Sequence, residues 1–281
     1  MNENIVRTLY ASMLQTALNL ALPFAPLPHS TLNEKFSIQN GVVASSGVSP
    51  SLGYWAIGNG GSSFTQGTNG LTIPVPNQHV GTDGGLFNHI PFVLRLLTND
   101  LNSGQQANYR LRTIVTINGL QYAAYYLKKI PLDGAVINAN LVSIVDGVKT
   151  VTAFTPTTDN LNPTPPTLDP GVNLSSANYV QASCAIALTL DVDDVTEILN
   201  ACTIIYGSAN YAIISEIGLV SGVDKAVTSP GVGSSTINVT EVIEAQIMAY
   251  VNTLSPLVFL NNGVTFNLDV GASEPILSLS N

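Results

Sequence analysis

The chain of 281 residues is long enough for one large domain or two modest ones, and it has a net charge of −9 with only nine Lys and Arg. Sequence-independent binding of DNA or RNA depends on clustered Lys and Arg, so we expect no specific nucleic-acid binding. Charged residues make up 10% of the chain, against about 25% in ordinary soluble domains. We therefore expect other subunits to cover part of the surface. Cys184 and Cys202 are too few for a disulfide framework, and we expect two buried thiols, with a single crosslink as the alternative.

The first predicted element is an N-terminal amphipathic helix over residues 1–25. Polar residues recur at helical spacing over positions 4–19, opposite an apolar row over positions 6–20. A secretion signal needs a basic start and an unbroken apolar core, whereas Glu3 and Gln15 interrupt both features here. No segment reaches the ~18 apolar residues of a membrane span, so we expect no membrane partner.

Residues 26–90 are predicted to form an extended arm, rich in Gly and Asn, that neighbouring subunits order. Within it, GYWAIGNGGSSFTQGTNG at 53–70 contains half of a G-x-G-x-x-G pattern, with Ser63 at the third glycine position. No helix is expected to follow, so the pattern lacks the context of a phosphate-binding loop. Aromatic residues such as Trp55 are instead expected to anchor an intersubunit contact. The interface candidates are Tyr54, Trp55, Ile57, Phe64, His79 and His89.

Residues 91–154 are predicted to consist of β-hairpins. Two β-rich runs are joined by Asn-Gly at 118–119, a dipeptide typical of type I′ turns, and Asp-Gly at 146–147 repeats the pattern. A Pro-rich connector at 155–171 follows, and its prolines exclude a helix or a central strand. The remainder, 172–281, is predicted to be an α+β part, either separate from the hairpins or in one domain with them.

Two helices are predicted among the strands of this last part. Asp194 and Glu197 have the spacing of a capping box at the start of the first helix, and Gly207 would end it. Asn238 and Glu241 predict a second box, ahead of an apolar run that extends to residue 254. The expected fold class is α+β: a mostly antiparallel sheet with hairpins and two or three packed helices, plus long irregular arms.

The sequence offers few candidates for chemistry. His79, Asp83 and His89 could surround a metal, but no helix fixes their spacing, and we expect histidines that hydrogen-bond a loop to the backbone. Ser is abundant, yet no G-x-S-x-G elbow is present. Glu216 lies in an apolar strand, where alternation favours an outward position or a pair with another subunit over a buried functional carboxylate. We therefore expect no enzyme, no metal and no cofactor.

Several local phrases carry a resemblance to a known class of proteins: YWAIGNGG, HVGTDGGLFNHIPFVLR, YAAYYLK, DNLNPTPP and YAIISEIGLVSGVDKAV. With these phrases the chain resembles virion structural proteins of tailed double-stranded DNA bacteriophages, in particular those with contractile tails. The resemblance extends from about residue 50 to the end and brings no catalytic residues. It implies a homo-oligomeric ring or collar at the neck or head–tail junction, formed through extended arms. The implied partners are the connector, tail terminator or sheath components, within a virion assembled in the host cytoplasm.

Three other functions remain open from the sequence. A baseplate or tail-decorating subunit would have the same composition. A glycan- or receptor-binding virion module is suggested by the tyrosines of the predicted sheet and by the weakly charged surface. A hydrolase that uses His79 or His89 is the enzymatic alternative.

Overall fold

The computed structural model describes residues 5–145, 147–164, 178–260 and 262–276. The strands, in chain order, are β1 Ile5–Arg7, β2 Ser51–Gly58, β3 Ser62–Gln66, β4 Thr72–Pro76, β5 His89–Ile90, β6 Val93–Leu96, β7 Tyr109–Ile117, β8 Leu120–Lys129, β9 Asn138–Val145, β10 Val148–Ala153, β11 Asn178–Leu190, β12 Ile213–Pro230, β13 Thr236–Pro256 and β14 Val264–Pro275. The α-helices of the described part are α1 Leu9–Asn19, α2 Leu32–Phe36, α3 Ser103–Gln106 and α4 Val192–Tyr206. These elements form a mostly antiparallel β-sheet structure with helices, which confirms the predicted α+β class in broad terms.

The chain divides into two compact units. The larger unit comprises Met1–Ile130 and Thr189–Thr265, and the smaller unit comprises Pro131–Leu188 and Phe266–Asn281. Each unit takes strands from both sides of the predicted connector at 155–171, so the chain is not split there into consecutive halves. Residues 165–171 of that connector lie outside the described residues.

The larger unit is built on an eight-stranded antiparallel sheet. Its strand order is β1-β13-β12-β2-β8-β6, with β5 paired to β2 and β7 paired to β8. On one face, a core cluster includes Tyr54, Val220, Ile247 and Tyr250. The strands β3 and β4 form a separate two-stranded sheet in this unit, which we call the β3–β4 hairpin (62–76).

The smaller unit contains a four-stranded sheet with the order β10-β9-β11-β14. Strands β9 and β10 pair antiparallel, with Val142 opposite Val151, as the second predicted hairpin requires. Gly147 in the connecting turn has a φ of +77°, and residue 146 lies outside the described residues.

The other predicted hairpin and the first predicted helix are confirmed. Asn118 and Gly119 have φ of +50° and +78° between β7 and β8, as a type I′ turn requires. Helix α4 ends at Gly207, whose φ of +80° suits a residue without a side chain. The helix begins earlier than predicted, because Asp191 is the N-cap and forms the capping box with Asp194.

The second predicted helix, over 238–254, is wrong, because these residues lie in β13. All residues from 241 to 248 are buried in a strand between β1 and β12. A strand covered on both faces has a continuous apolar run, which periodicity alone does not separate from a buried helix. Glu241 is not a capping residue there, since its carboxylate accepts hydrogen bonds from the backbone N–H groups of Leu111 and Arg112.

The predicted N-terminal helix is shorter than 1–25. Residues 5–7 form β1, with Val6 opposite Tyr250 of β13, and the Thr8 side chain caps α1 by accepting from the N–H of Ala11. Residues 1–4 lie outside the described residues. In the described part of the chain, no helix combines the length and apolar character needed to span a bilayer.

The predicted arm over 26–90 is not confirmed as one irregular segment. It contains α2 and β2–β5, and β2 pairs with both β12 and β8 in the middle of the large sheet. The Gly- and Asn-rich composition concealed this central strand, which changes register at Gly53. Among the strands of this segment, only β3 and β4 lie outside the large sheet. Residues 37–50 are irregular and mostly exposed, so these two parts keep some of the expected character of an arm.

Candidate functional site

The predicted interface residues are mostly inside the chain. Trp55 and Ile57 are 0% exposed, and the Trp55 ring lies edge-on to Phe92 with ring centroids 5.0 Å apart. The others with little exposure are Tyr54, His79 and His89. Phe64, by contrast, is 56% exposed on β3. Burial within the same chain is incompatible with the predicted role of Trp55 as an intersubunit anchor, so that prediction is corrected.

A group of buried hydrogen bonds surrounds Glu216 on β12, which is 0% exposed rather than facing outward as predicted. Its Oε1 accepts from the N–H groups of Gly60 and Asn88, both at 3.0 Å. Its Oε2 accepts from the N–H of Phe87 at 3.0 Å and lies 2.8 Å from Nε2 of His79. We call Glu216, His79, Asp83 and these N–H groups the Glu216 cluster.

His79 is closed in on every side. Its Nδ1 lies 2.9 Å from Oδ2 of Asp83, so each ring nitrogen faces a carboxylate oxygen. The ring is stacked between Phe87 and Tyr250, with centroid distances of 4.1 and 3.8 Å. Tyr250 in turn donates its hydroxyl to the carbonyl of Asp83 at 2.8 Å. The expected role of His79, to fix a loop by hydrogen bonds, is found in a different form, because its partners are the carboxylates of Asp83 and Glu216 rather than the backbone.

This arrangement is suited to holding the chain together rather than to chemistry. A carboxylate offers about four lone-pair directions, and Glu216 uses all of them on protein donors. With Glu216 and His79 both buried, neither side chain has a free position for a substrate atom or a metal ion. The cluster joins the turn after β2, the loop before β5 and strand β12.

His89 does not take part in the cluster. Its Nε2 accepts from the N–H of Leu86 at 3.0 Å, while its Nδ1 is buried without a hydrogen-bond partner. Burial, with a smaller contribution from the charge of Lys35, lowers the pKa of His89 to about 3. Both nitrogens of the His89 ring are therefore directed towards protein.

The Gly-rich stretch does bind an anion, but the anion is the protein's own carboxylate. A Cβ added to Gly58 would lie 2.5 Å from Oε1 of Glu216, and one on Gly61 would lie 2.4 Å from the carbonyl oxygen of Ser215. At Gly60 a Cβ would lie 2.7 Å from the Cβ of Phe87. The glycines are needed because the backbone packs directly against β12 and the loop around the cluster.

Replacement of Gly61 by Ala tests this close packing. We expect Gly61→Ala to lower the free energy of unfolding by about 1–3 kcal/mol, since a new methyl group would displace backbone. Gly53→Ala is the matched control in β2, because the nearest atom to its Cβ would be 3.9 Å away. Urea unfolding curves of both variants measure the effect, and equal midpoints for the two would contradict it.

The Glu216 cluster lies at the base of the β3–β4 hairpin. The N–H of Gly61 donates to Oγ of Ser215 at 2.9 Å, immediately before β3 begins. Asn77 follows immediately after β4, and its backbone N–H donates to the carbonyl of Gly61 at 2.9 Å. Its side-chain amide donates to the carbonyl of Gly60 at 2.7 Å. Asn252 of β13 donates to the carbonyl of Asn77 at 2.6 Å. Both ends of the hairpin are thus fixed to the large sheet.

The hairpin itself is exposed and apolar. Apart from Ser62, every residue of its two strands is exposed. Its large apolar side chains are Phe64 (56% exposed), Leu71 (68%), Ile73 (48%) and Val75 (38%). Residues 36–82 contain no Asp, Glu, Lys or Arg, so the hairpin lies within a charge-free part of the sequence. An isolated two-stranded hairpin is marginally stable in water. Burial of these apolar side chains against a partner would stabilise the hairpin.

Ion pairs within the chain engage most of its cations. Five of the nine Lys and Arg lie in such pairs: Arg95–Glu197, Arg110–Asp224, Arg112–Asp100, Lys128–Asp194 and Lys129–Asp224. Burial by itself would raise the pKa of Asp224, but hydrogen bonds from Arg110 and Tyr54 outweigh it and lower that pKa. Lys128 and Lys129, the densest basic spot of the sequence, are among the paired cations. The surface is correspondingly poor in positive charge.

Other features offer no reactive group. A cavity of about 380 Å³ is lined in part by Asp100 and Arg112. These two residues form an ion pair, with Nη2 of Arg112 2.7 Å from Oδ2 of Asp100. In the described ranges, no group of three or more His, Cys, Asp and Glu is placed to hold a metal ion. Cys184 and Cys202 are both free, which removes the single crosslink, and burial raises the pKa of Cys202 to about 12.

One protein-family model covers the whole chain. The model of a family of unknown function, DUF7208, matches residues 1–281. The chain belongs to this family. No curated protein and no solved structure matches it.

For this DUF7208 member, the sequence indicates individual residues of the Glu216 cluster but not the contacts between them. The sequence places His79 close to Asp83 and shows Glu216 separately. No sequence pattern connects His79 with Glu216, which lie 137 positions apart. Two signals pointed to the cluster: a lone carboxylate in an apolar strand, and a Gly-rich run without the helix of a phosphate loop. Together they indicate a buried carboxylate that accepts from a glycine-rich turn.

Proposed function

We propose that the protein is a non-enzymatic structural subunit that assembles with copies of itself. The observation that carries this proposal is the uncovered apolar surface of the smaller unit. Among its described residues, nine large apolar side chains are exposed: Leu132, Val136, Ile137, Ile144, Val148, Val151, Phe154, Leu161 and Ile276. Its buried large apolar residues are fewer: Val142, Ile186, Leu188 and Leu268.

A sheet needs a second layer against one of its faces. In the described part of the smaller unit, the only helical element is a single 3₁₀ turn at Thr158–Leu161, and Leu161 is 81% exposed. Strand β10 lies at one edge of the sheet, with Val148 and Val151 exposed by 66% and 51%. Exposed apolar residues on an edge strand favour a partner, although Lys149 places one charge between these two valines.

We assign the assembly to a virion of a tailed bacteriophage, as a ring or collar subunit at the neck or head–tail junction. The support for this station is the resemblance of the local phrases, together with the low charge of the chain. Of the long irregular arms in that proposal we retain the β3–β4 hairpin, because its two strands are the only strands of residues 26–90 outside the large sheet. The proposed partners are further copies and neighbouring proteins such as connector, tail terminator or sheath components.

Light scattering of the purified chain tests the assembly. We expect a molar mass several times the chain mass of 29.5 kDa, rising with protein concentration towards a fixed limit. Proteomic analysis of purified particles of the phage that encodes the chain is expected to detect it as a virion component. A chain that stays at 29.5 kDa at all concentrations and is missing from the particles would refute the proposal.

A further inference from the structure

We propose that the β3–β4 hairpin of one copy packs against the β9–β10 edge of the next copy. This inference rests on the proposed function and names the contact that builds the assembly. A closed ring needs a heterologous contact, in which two different patches of the same chain meet. The structure assigns one patch to each unit: the hairpin in the larger unit and the edge strand β10 in the smaller one.

Charge is the reason to choose a second copy as the occupant. Each copy carries a net charge of −9, so identical copies repel wherever their charged surfaces approach. The hairpin lies in the charge-free residues 36–82 and can approach an identical chain without adding like-charge contacts. A strongly basic partner would leave its cations desolvated and unpaired against this hairpin. The β10 patch brings a single cation, Lys149, whose long flexible stem lets its ammonium stay in water at the rim of the contact.

The geometry of the hairpin favours contact through its side chains. Pro74 and Pro76 of β4 have no N–H group, so strand addition to the outer edge of β4 is impaired. Phe64 and Pro74 are opposite each other and share one face, while Ile73 and Val75 lie on the other. Both faces are therefore available, as expected for an element enclosed by a neighbouring subunit.

The base of the hairpin gives it a fixed direction. Gly61 and Asn77 attach its two ends to β12 and β13 beside the buried Glu216. An anchored hairpin loses less conformational freedom on binding than a free arm, and this preorganisation strengthens association. The Glu216 cluster thus acts as a positioning element for the contact.

The test compares two full-length variants, each with one patch altered. Phe64→Thr/Ile73→Thr removes apolar surface from the hairpin and keeps residues that suit a strand. Val148→Thr/Val151→Thr alters the β10 patch in the same way. Phe259→Thr is the matched control, because Phe259 is 64% exposed, much as Phe64 is at 56%, but lies outside both patches.

We expect the hairpin variant to need at least about a tenfold higher protein concentration for half-assembly than the wild type, as truncation of interface anchors does. The β10 variant is expected to weaken assembly, while Phe259→Thr has no effect. An equimolar mixture of the two patch variants should form a pair of twice 29.5 kDa and nothing larger. One intact hairpin and one intact β10 patch remain in that mixture, which is enough for a single contact. Melting temperatures equal to that of the wild type, measured at concentrations too low for assembly, show that the fold is intact.

The outcomes separate this inference from the proposed function. If the wild type assembles and the hairpin variant assembles equally well, the proposed function stands and this contact is refuted. The hairpin would then bind a different protein. If the control weakens assembly as much as the hairpin variant does, the contact is also refuted. If each patch variant fails alone and the mixture forms no pair, the two patches do not meet. A wild type that never assembles refutes the proposed function and the contact together.

Discussion

Glu216→Ala is expected to lower the free energy of unfolding by about 3–5 kcal/mol, the range for removing one partner from a buried charged network. The substitution leaves the N–H groups of Gly60, Phe87 and Asn88 without an acceptor, and His79 without one of its two partners. The loss is large against a typical domain stability of about 5–15 kcal/mol. Urea unfolding followed by the fluorescence of Trp55, the single tryptophan of the chain, measures it.

Glu274→Ala is the matched control, because Glu274 is an exposed glutamate near the end of β14. We expect this variant to unfold as the wild type does. Glu216→Gln keeps the shape of the side chain, yet presents an amide N–H₂ to backbone donors, and should lie between the wild type and Glu216→Ala. Similar unfolding of Glu216→Ala and Glu274→Ala would show that the cluster does not stabilise the fold.

Trp55→Ala should cost about 3–5 kcal/mol of unfolding free energy, the usual range for truncating a large buried aromatic residue. Trp55 is 0% exposed and packs against Phe92 in the larger unit, so the variant leaves a cavity in the core. Thermal unfolding followed by circular dichroism measures the loss, since the fluorescent reporter is absent from this variant.

Phe64→Ala is the aromatic control for this experiment. It removes an exposed ring from the hairpin. We expect weaker assembly and, at concentrations too low for assembly, a melting temperature like that of the wild type. The opposite pattern would contradict the structure: a Trp55→Ala variant with normal stability and weakened assembly would return Trp55 to the role of an intersubunit anchor.

Local signals predicted the elements that local chemistry determines. The Asn-Gly turn at 118–119 follows from the positive φ that both residues tolerate, and helix α4 follows from its capping residues and its closing glycine. The predicted helix at 238–254 failed because β13 is buried on both faces, which removes the alternation of a strand. Strand β2 was missed because Gly and Asn around it are typical of a loop.

The Glu216 cluster could not be derived from spacing along the chain. Gly60, His79 and Phe87 approach Glu216 from 129 to 156 positions away, and only the pairing of β2 with β12 brings them together. Burial of a carboxylate also opposes the usual preference of Glu for the surface. Four hydrogen bonds from the protein compensate for it here.

The charge distribution links the fold to assembly. The sequence shows few cations, and the structure adds that most of them are used within the chain, as in Arg110–Asp224 and Arg112–Asp100. Exposed apolar residues of the hairpin and of the smaller unit form the proposed contact surface. Their solvation cost is removed when another subunit covers them.

Hydrogen–deuterium exchange of β9 and β10 over a series of protein concentrations tests the central claim most directly. If other copies cover the smaller unit, the amides of residues 138–153 should exchange more slowly as the scattering mass rises, whereas those of β12 beside Glu216 should be protected throughout. Exchange in β9 and β10 that stays the same at every concentration, in a chain of 29.5 kDa, would contradict the account.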